Sequence, residues 1–545
     1  MNTSKPLKDL TPDNDVERDD NLGSEKVIDT NATVFNRVIS KNVHEYHFII
    51  PNDKRVELGQ IFSIEDDEIT FLARVTDIQH DSNYAGKWDT TLKGTEFYDK
   101  DQYFNKIISE SFGCVVSDEK TGKKKIKKSK TIPKKFSEVK DPNKEDLKFI
   151  ADEMGDIEVG YLRNGSRKVK DVPVALDSKV MDHHMGVFAT TGMGKSNFMK
   201  VFAASCIKNS ALGNAKFGLL IVDPHGEYLH ALRRIKNYSD GLVCYTTEHK
   251  VPNGVIKLTI SKEDLKPEDV RVLLPNLPDA QKEILDALNW LVEDPDWLGK
   301  GDGWIDNLLD GYGEKNLRER KYNQKAIDAL IRKIRNLING KKSWLDVHSS
   351  ISGIIKRLSE NKVVLIDMPM TSEWDELFLL SILSKGILDR YKEYASDNKR
   401  KSCLITIEEA QRVLGGGDGS IARFETIARE GRKFGVGLCA ITQQPKLIDK
   451  QLLSQFNTLV VMGLADRNDR DRLEESAKQD LKSMDVEIQT LEKGEAIIST
   501  LNVPFPIPTV IHLYEEYIDR LNLEKAPQKS LVEDLDSSFE PDDLN

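Results

Sequence analysis

The chain has 545 residues, too many for one compact core and enough for two or three domains. Its 39% hydrophobic and 31% charged residues are those of a globular protein, and its apolar runs, such as 217–222, fall far short of the roughly 20 residues that span a bilayer. A net charge of −11 excludes nonspecific coating of a polyanion while leaving room for a locally basic channel, and five cysteines without Cys-x-x-Cys spacing exclude a zinc site or disulfide framework.

In chain order, residues 1–30 are charged, lack aromatics and are predicted to be disordered. The polar, acidic start carries no apolar segment of the signal-peptide kind, so a cytoplasmic protein is expected. Between 31 and 150, short runs at 34–39, 44–50, 59–64 and 68–78, separated by turn residues, predict a small antiparallel β-barrel. A lysine-rich stretch follows, with Lys120, Lys123, Lys124, Lys125, Lys127, Lys128 and Lys130. It reads as a solvated loop, or as a contact for nucleic-acid phosphates.

From about 184 the texture changes to apolar, strand-length runs alternating with helical patterns, which predicts parallel strands joined by crossover helices. Strands are expected at 186–189, 217–222, 363–366, 403–407, 436–441 and 458–462. Residues 262–345 interrupt this series between the α/β segments 151–261 and 346–515. Apolar spacing of three and four residues at 279–292 and 326–338 predicts an inserted helical subdomain there. Beyond 516 the chain completes a helix and passes into an acidic tail, also expected to be disordered.

The strongest chemical signal is Ala189-Thr-Thr-Gly-Met-Gly-Lys-Ser196, between an apolar strand and a helix whose buried stripe is Phe198, Val201, Phe202, Ser205 and Cys206, with Gly213 as its stop. This is the strand–loop–helix pattern of a P-loop. Gly192 and Gly194 let the backbone curl so that the N–H groups of Thr191 through Asn197, Met193 included, can face phosphates. Lys195 would reach the β- and γ-oxygens, and the Ser196 hydroxyl would ligate magnesium. Glycine is usual where Ala189 stands. Asp223 ends the run 217–222 and serves either the site or the following turn.

The run 403–407 ends in Glu408 and Glu409. Alone, two such glutamates read as an ordinary helix start. Paired with a P-loop, Glu408 becomes the magnesium-holding carboxylate and Glu409 the group that polarises the attacking water. Gln443, at the tip of 436–441, is placed to sense the γ-phosphate. The segment Arg429-Glu-Gly-Arg432 puts a basic pair just before the run 436–441; Arg432 is either a surface or nucleic-acid-facing arginine or the candidate to reach a neighbouring subunit's γ-phosphate. No Asn-Lys-x-Asp string follows the P-loop, which speaks against a GTPase.

These segments together resemble the HerA family of DNA-translocating ATPases, within the HerA–FtsK group. The resemblance is carried by 189–197, Val222-Asp-Pro-His-Gly-Glu-Tyr228, Ile407-Glu-Glu-Ala-Gln411, Arg429-Glu-Gly-Arg-Lys-Phe-Gly435, Thr442-Gln-Gln-Pro445 and Leu453-Ser-Gln-Phe-Asn-Thr458. It covers about residues 31–515, and 491–498 with 505–508 look like the family's closing strands. The resemblance implies a RecA-like P-loop core with a parallel-rich sheet, a HAS-like N-terminal barrel, ATP and Mg2+ as ligands, a homo-hexameric ring and double-stranded DNA as substrate. It also implies a partner, either a NurA-like nuclease in DNA end processing or a sirtuin-like or nuclease effector in antiviral defence. The sequence departs from the family at Gln411, where His is usual, at Gln444, where Arg is usual, and at His183-His184, where some members carry Arg. An alternative is an ATPase scaffold that assembles and gates a partner enzyme. A membrane-anchored coupling motor is disfavoured by the lack of a spanning segment.

Overall fold

The computed structural model describes residues 35–67, 69–82, 103–117, 124–274, 276–291, 303–339, 342–369, 371–415 and 422–524. The expected disordered ends and Lys120 and Lys123 lie outside them. The described residues form a mixed α/β fold with two sheets.

The N-terminal sheet contains β1 (Val38–Ser40), β2 (Glu45–Pro51), β3 (Ile61–Asp66), β4 (Ile69–Ser82), β5 (Tyr103–Ser117), β6 (Lys124–Lys127) and β7 (Val139–Lys140). Its path is β1-β2-β5-β4-β3-β7, with β6 paired to β5. The two ends of the path meet: Val38 N donates to Ser137 O at 3.0 Å, and Val139 N donates to Asn36 O at 2.9 Å. Side chains alternate between two faces, as the period of a strand requires. Tyr46, Phe48, Phe62, Ile64 and Phe71 fill the inside of the curled sheet, whereas Ile61, Leu72, Phe112 and Val115 join the core beneath the central sheet. Lys124–Lys127, expected as loop, is a strand, because Ile126 is buried among lysines that point outward.

The central sheet contains β8 (Ile157–Asn164), β9 (Arg167–Leu176), β10 (Met185–Phe188), β11 (Gly218–Asp223), β12 (Leu242–Thr246), β13 (Ile256–Lys257), β14 (Val363–Asp367), β15 (Cys403–Ile407), β16 (Val436–Thr442), β17 (Thr458–Met462), β18 (Glu495–Ser499) and β19 (Ile507–Ile511). Its order is β13-β12-β14-β11-β15-β16-β10-β17-β18-β19-β8-β9. Pairing is parallel from β13 through β17 and antiparallel from there to β9. The parallel strands β10, β11, β14, β15, β16 and β17 are buried on both faces, which is why each reads as a nearly continuous apolar run. The sheet draws on the chain well before 184: the hairpin β8–β9 forms its far edge.

Within 262–345 lie the helices Pro267–Leu273, Asp279–Leu291, Trp304–Leu309, Tyr312–Glu319 and Gln324–Asn339. The bridge between Ile260 and Leu345 brings the ends of this segment together, and Leu288, Leu330 and Ile334 share a core with Phe378. Among the described residues no helix is long and apolar enough to cross a membrane.

The two sheets meet at a buried ionic cluster. Glu487, in the helix Asp485–Thr490, accepts from Arg74 of β4 and from Arg163 of β8, and Arg74 also reaches Glu110. Arg74 is 0% exposed. Beside the cluster, Phe112 packs against Phe505 with ring centroids 4.0 Å apart.

Candidate active site

Four neighbouring strands, β11, β15, β16 and β10, run parallel and end at one edge. In open α/β sheets the carboxyl edge is where ligands bind, because successive strands release their loops there. The resulting cleft, about 390 Å3, is lined by Thr191, Gly192, Gly194, Lys195, Ser196 and Asn197 from the loop after β10. Asp223, His225, Glu227 and Tyr228 follow β11, Glu408 and Glu409 follow β15, Gln443 follows β16, and Lys493 precedes β18.

The P-loop turns through Gly192 (φ +84°) and Gly194 (φ +110°), conformations that L side chains rarely adopt. Gly194 is the N-cap of the helix Lys195–Ala211. Lys195 Nζ donates to Ala189 O at 2.9 Å. Burial lowers the Lys195 pKa, and the carboxylates of Glu409 and Glu408 oppose that shift. Met193 turns its side chain away from the cleft, against Gly463. Asn197 borders the cleft, but its amide is already engaged: Nδ2 donates to His512 O at 2.8 Å and Oδ1 accepts from Tyr514 N at 2.9 Å.

Asp223 is 1% exposed. Its Oδ1 accepts from His225 N and Glu227 N, both at 3.2 Å, and its Oδ2 from Tyr228 N at 2.8 Å. Its carboxylate thus holds the Asp-Pro-His-Gly-Glu-Tyr loop in shape. The loop in turn aims Tyr228, whose hydroxyl donates to Glu408 Oε1 at 2.8 Å. Burial pushes the Glu408 pKa up to about 7; the Tyr228 hydrogen bond opposes the shift, and the charges of Glu227, Asp223 and Glu409 add to it.

Glu409 has φ +47°, a conformation that costs a non-glycine residue about 1–3 kcal/mol and persists only where its surroundings hold it. Its Oε2 accepts from Gln411 Nε2 at 2.7 Å. Gln443 Oε1 accepts from the Thr191 hydroxyl, tying the tip of β16 to the P-loop.

Arg432 does not enter this cleft. It is exposed in the short turn Gly431–Phe434 that leads into β16, at the opposite edge of the sheet. Its carbonyl accepts from Arg400, which also pairs with Asp182 at 2.8 Å. His184, just before β10, is buried, and its Nδ1 accepts from Leu438 N at 3.0 Å. Burial lowers its pKa to about 4.

Sequence reasoning assigned no role to His225, Glu227, Tyr228 or Lys493. The first three were legible from their place after a strand that ends beside the P-loop strand. Lys493 was not, because nothing local shows that the turn before β18 reaches the P-loop, where Gly494 N donates to Met193 O at 3.1 Å.

Comparison with known proteins agrees with this geometry. The family model described as Helicase HerA, central domain, matches residues 157–401, starting at β8. A probable helicase of Methanocaldococcus jannaschii is 26% identical over 479 residues, spanning 82% of this chain and 88% of its own length. A second probable helicase of that organism is 25% identical over 524 residues, spanning 89% and 96%. The DNA double-strand break repair helicase HerA of Saccharolobus solfataricus is 24% identical over 478 residues, spanning 86% and 90%. The chain carries a match to the HerA helicase central domain and is similar to HerA and probable helicases over most of its length; it is an ATP-binding enzyme, an ATPase.

Proposed function

We propose that the protein is the subunit of a cytoplasmic homo-hexameric ring that hydrolyses ATP to translocate along and open double-stranded DNA, in concert with a nuclease or other effector. One observation carries the nucleotide half of this reading: four adjacent parallel strands deliver the P-loop, the two glutamates and Gln443 to a single cleft. The DNA half rests on the length over which the chain matches a DNA double-strand break repair helicase.

In this reading the backbone of Thr191 through Asn197 cradles the phosphates, and Lys195 exchanges its bond to Ala189 O for phosphate oxygens. The hard oxygen donors Ser196 and Glu408 border one cleft and fit a magnesium ion. Among the described residues no three His, Cys, Asp or Glu side chains form a metal cage; Mg2+ needs none, since it takes most ligands from phosphates and water. Bound there, it would neutralise charge on the transferring phosphoryl group. Glu409 takes a proton from the attacking water. Asp223 keeps Tyr228 against Glu408, Gln443 hydrogen-bonds the γ-phosphate, and Arg432 serves the neighbouring subunit's site.

The test is displacement of a protein roadblock from linear duplex by the purified full chain, with ATP turnover followed alongside. Wild type is expected to displace the block and Lys195→Ala to lose both activities, since removing a cation that stabilises transition-state charge costs about 3–4 kcal/mol or more. Turnover without displacement, even with the partner present, would leave a scaffold ATPase in place of a motor.

A further inference from the structure

We propose that Gln411 and Thr442 are positioning residues that set the carboxylate of Glu409 and link it to the strand tip bearing Gln443. This rests on Glu409 being the base. The cleft lining includes Glu409 and Gln443 but neither Gln411 nor Thr442, so these two act through their neighbours. From Glu409 Oε2, the Gln411 amide nitrogen lies 2.7 Å away. The Gln411 carbonyl oxygen accepts from the Thr442 hydroxyl at 2.5 Å, and that hydroxyl oxygen accepts from Gln444 N at 3.0 Å. Gln443, between Thr442 and Gln444, accepts from the Thr191 hydroxyl of the P-loop.

Every donor in this chain has one direction. A carboxylate only accepts, so Gln411 must turn its NH2 toward Glu409 and its oxygen toward Thr442; the flipped amide would set oxygen against oxygen. The Gln444 N–H only donates, so the Thr442 hydroxyl has its proton free for Gln411. Thr442 is 1% exposed, and water does not substitute for it. The backbone adds a second constraint. Glu409 is held at φ +47°, with Ala410 N donating to Ile441 O of β16 at 3.0 Å. Side chain and main chain of the 409–411 turn are therefore both registered against the end of β16. A shift of the 442–444 segment when Gln443 engages phosphate moves the Glu409 carboxylate with it. The relay makes the base ready only when the γ-phosphate contact is made.

The experiment uses Thr442→Val, which keeps the shape and removes the hydroxyl, Thr442→Ser, which restores it, and Gln411→Met, which removes the amide. ATP turnover of the full chain and affinity for a fluorescent ATP analogue are measured together. Thr442→Val and Gln411→Met are expected to lower kcat roughly 10- to 100-fold, as small misplacements of a catalytic group do, with affinity within about twofold. Thr442→Ser should return near wild-type kcat, and the double variant should fall no further than the singles, because both break one chain. A kcat unchanged or raised in Gln411→Met, or Thr442→Ser as impaired as Thr442→Val, overturns the relay. If Thr442→Val does not fold, the partly exposed Gln411 still decides. Glu409→Gln is run in parallel: normal turnover in that variant refutes the base assignment itself, whereas a dead Glu409→Gln beside a fully active Gln411→Met refutes only the relay.

Discussion

Glu408 bonds the Tyr228 hydroxyl at 2.8 Å, and Glu409, one residue on, bonds the Gln411 amide at 2.7 Å. These separate partners fit the separate roles proposed for the two carboxylates. Glu409→Gln should bind ATP normally and hydrolyse it at least about 100-fold more slowly, since general bases contribute roughly 10²–10⁴ in rate. Glu408→Gln should instead raise the magnesium concentration needed for half-maximal turnover. Paired magnesium titrations check both, and a normal Glu409→Gln with a dead Glu408→Gln would exchange the roles. His184 makes a different prediction. Its pKa falls from 6.5 in the unfolded chain to about 4 in the fold because burial disfavours the imidazolium. Below pH 6.5 the unfolded state binds the proton that the native state refuses, so this contribution is complete above 6.5 and lost as pH falls toward 4. At pH 5 the loss is about 2 kcal/mol. His184→Asn keeps an acceptor for Leu438 N. Its urea midpoint should fall less than that of wild type between pH 7 and pH 5; equal falls would rule the imidazole out as the cause.

At the scale of elements, the six strands predicted in the α/β segments all formed, each with ends within two residues of those expected, because a strand buried on both faces must be apolar throughout. The same physics hid β8 and β9. The first half of β9 is exposed and carries Arg167, Lys168 and Lys170, so no apolar run forms there; the Asn164-Gly165 turn, with Gly165 at φ +62°, was the available hairpin sign. The cleft was legible wherever a residue ended such a strand: Asp223, Glu408, Glu409 and Gln443 all did. It was illegible where geometry comes from distant pairing, as with Arg74, whose burial depends on Glu487 far along the chain. Strand β6 belongs to this scale as well. If it meets duplex DNA, replacing Lys124, Lys125, Lys127 and Lys128 with Gln should weaken duplex binding and flatten its salt dependence by up to about 3–4 in log–log slope. DNA-free turnover should be unchanged. An unaltered slope in a salt titration would return β6 to being an edge of the sheet and nothing more.

For the whole molecule, Arg432 and the cleft lie at opposite edges of one sheet, so an Arg432 that acts on ATP must act on a neighbour's. If the subunits form the proposed ring, Arg432→Ala and Lys195→Ala should each be nearly inactive, a trans arginine contributing about 10³ or more in rate. Mixing them should restore part of the turnover through composite sites. No recovery in verified mixed rings would exclude action between subunits. The cluster of Arg74, Glu487 and Arg163 has its own consequence. Two cations gripping one carboxylate in a dry place form a keyed joint, not a greased bearing, since slippage in any direction strands a buried charge at a cost of about 3–5 kcal/mol. Glu487 is also only a short turn away from Gly494, whose N–H holds Met193 O of the P-loop. A contact path therefore joins the P-loop to the N-terminal sheet, and that sheet is expected to move with the nucleotide-binding edge as its housing.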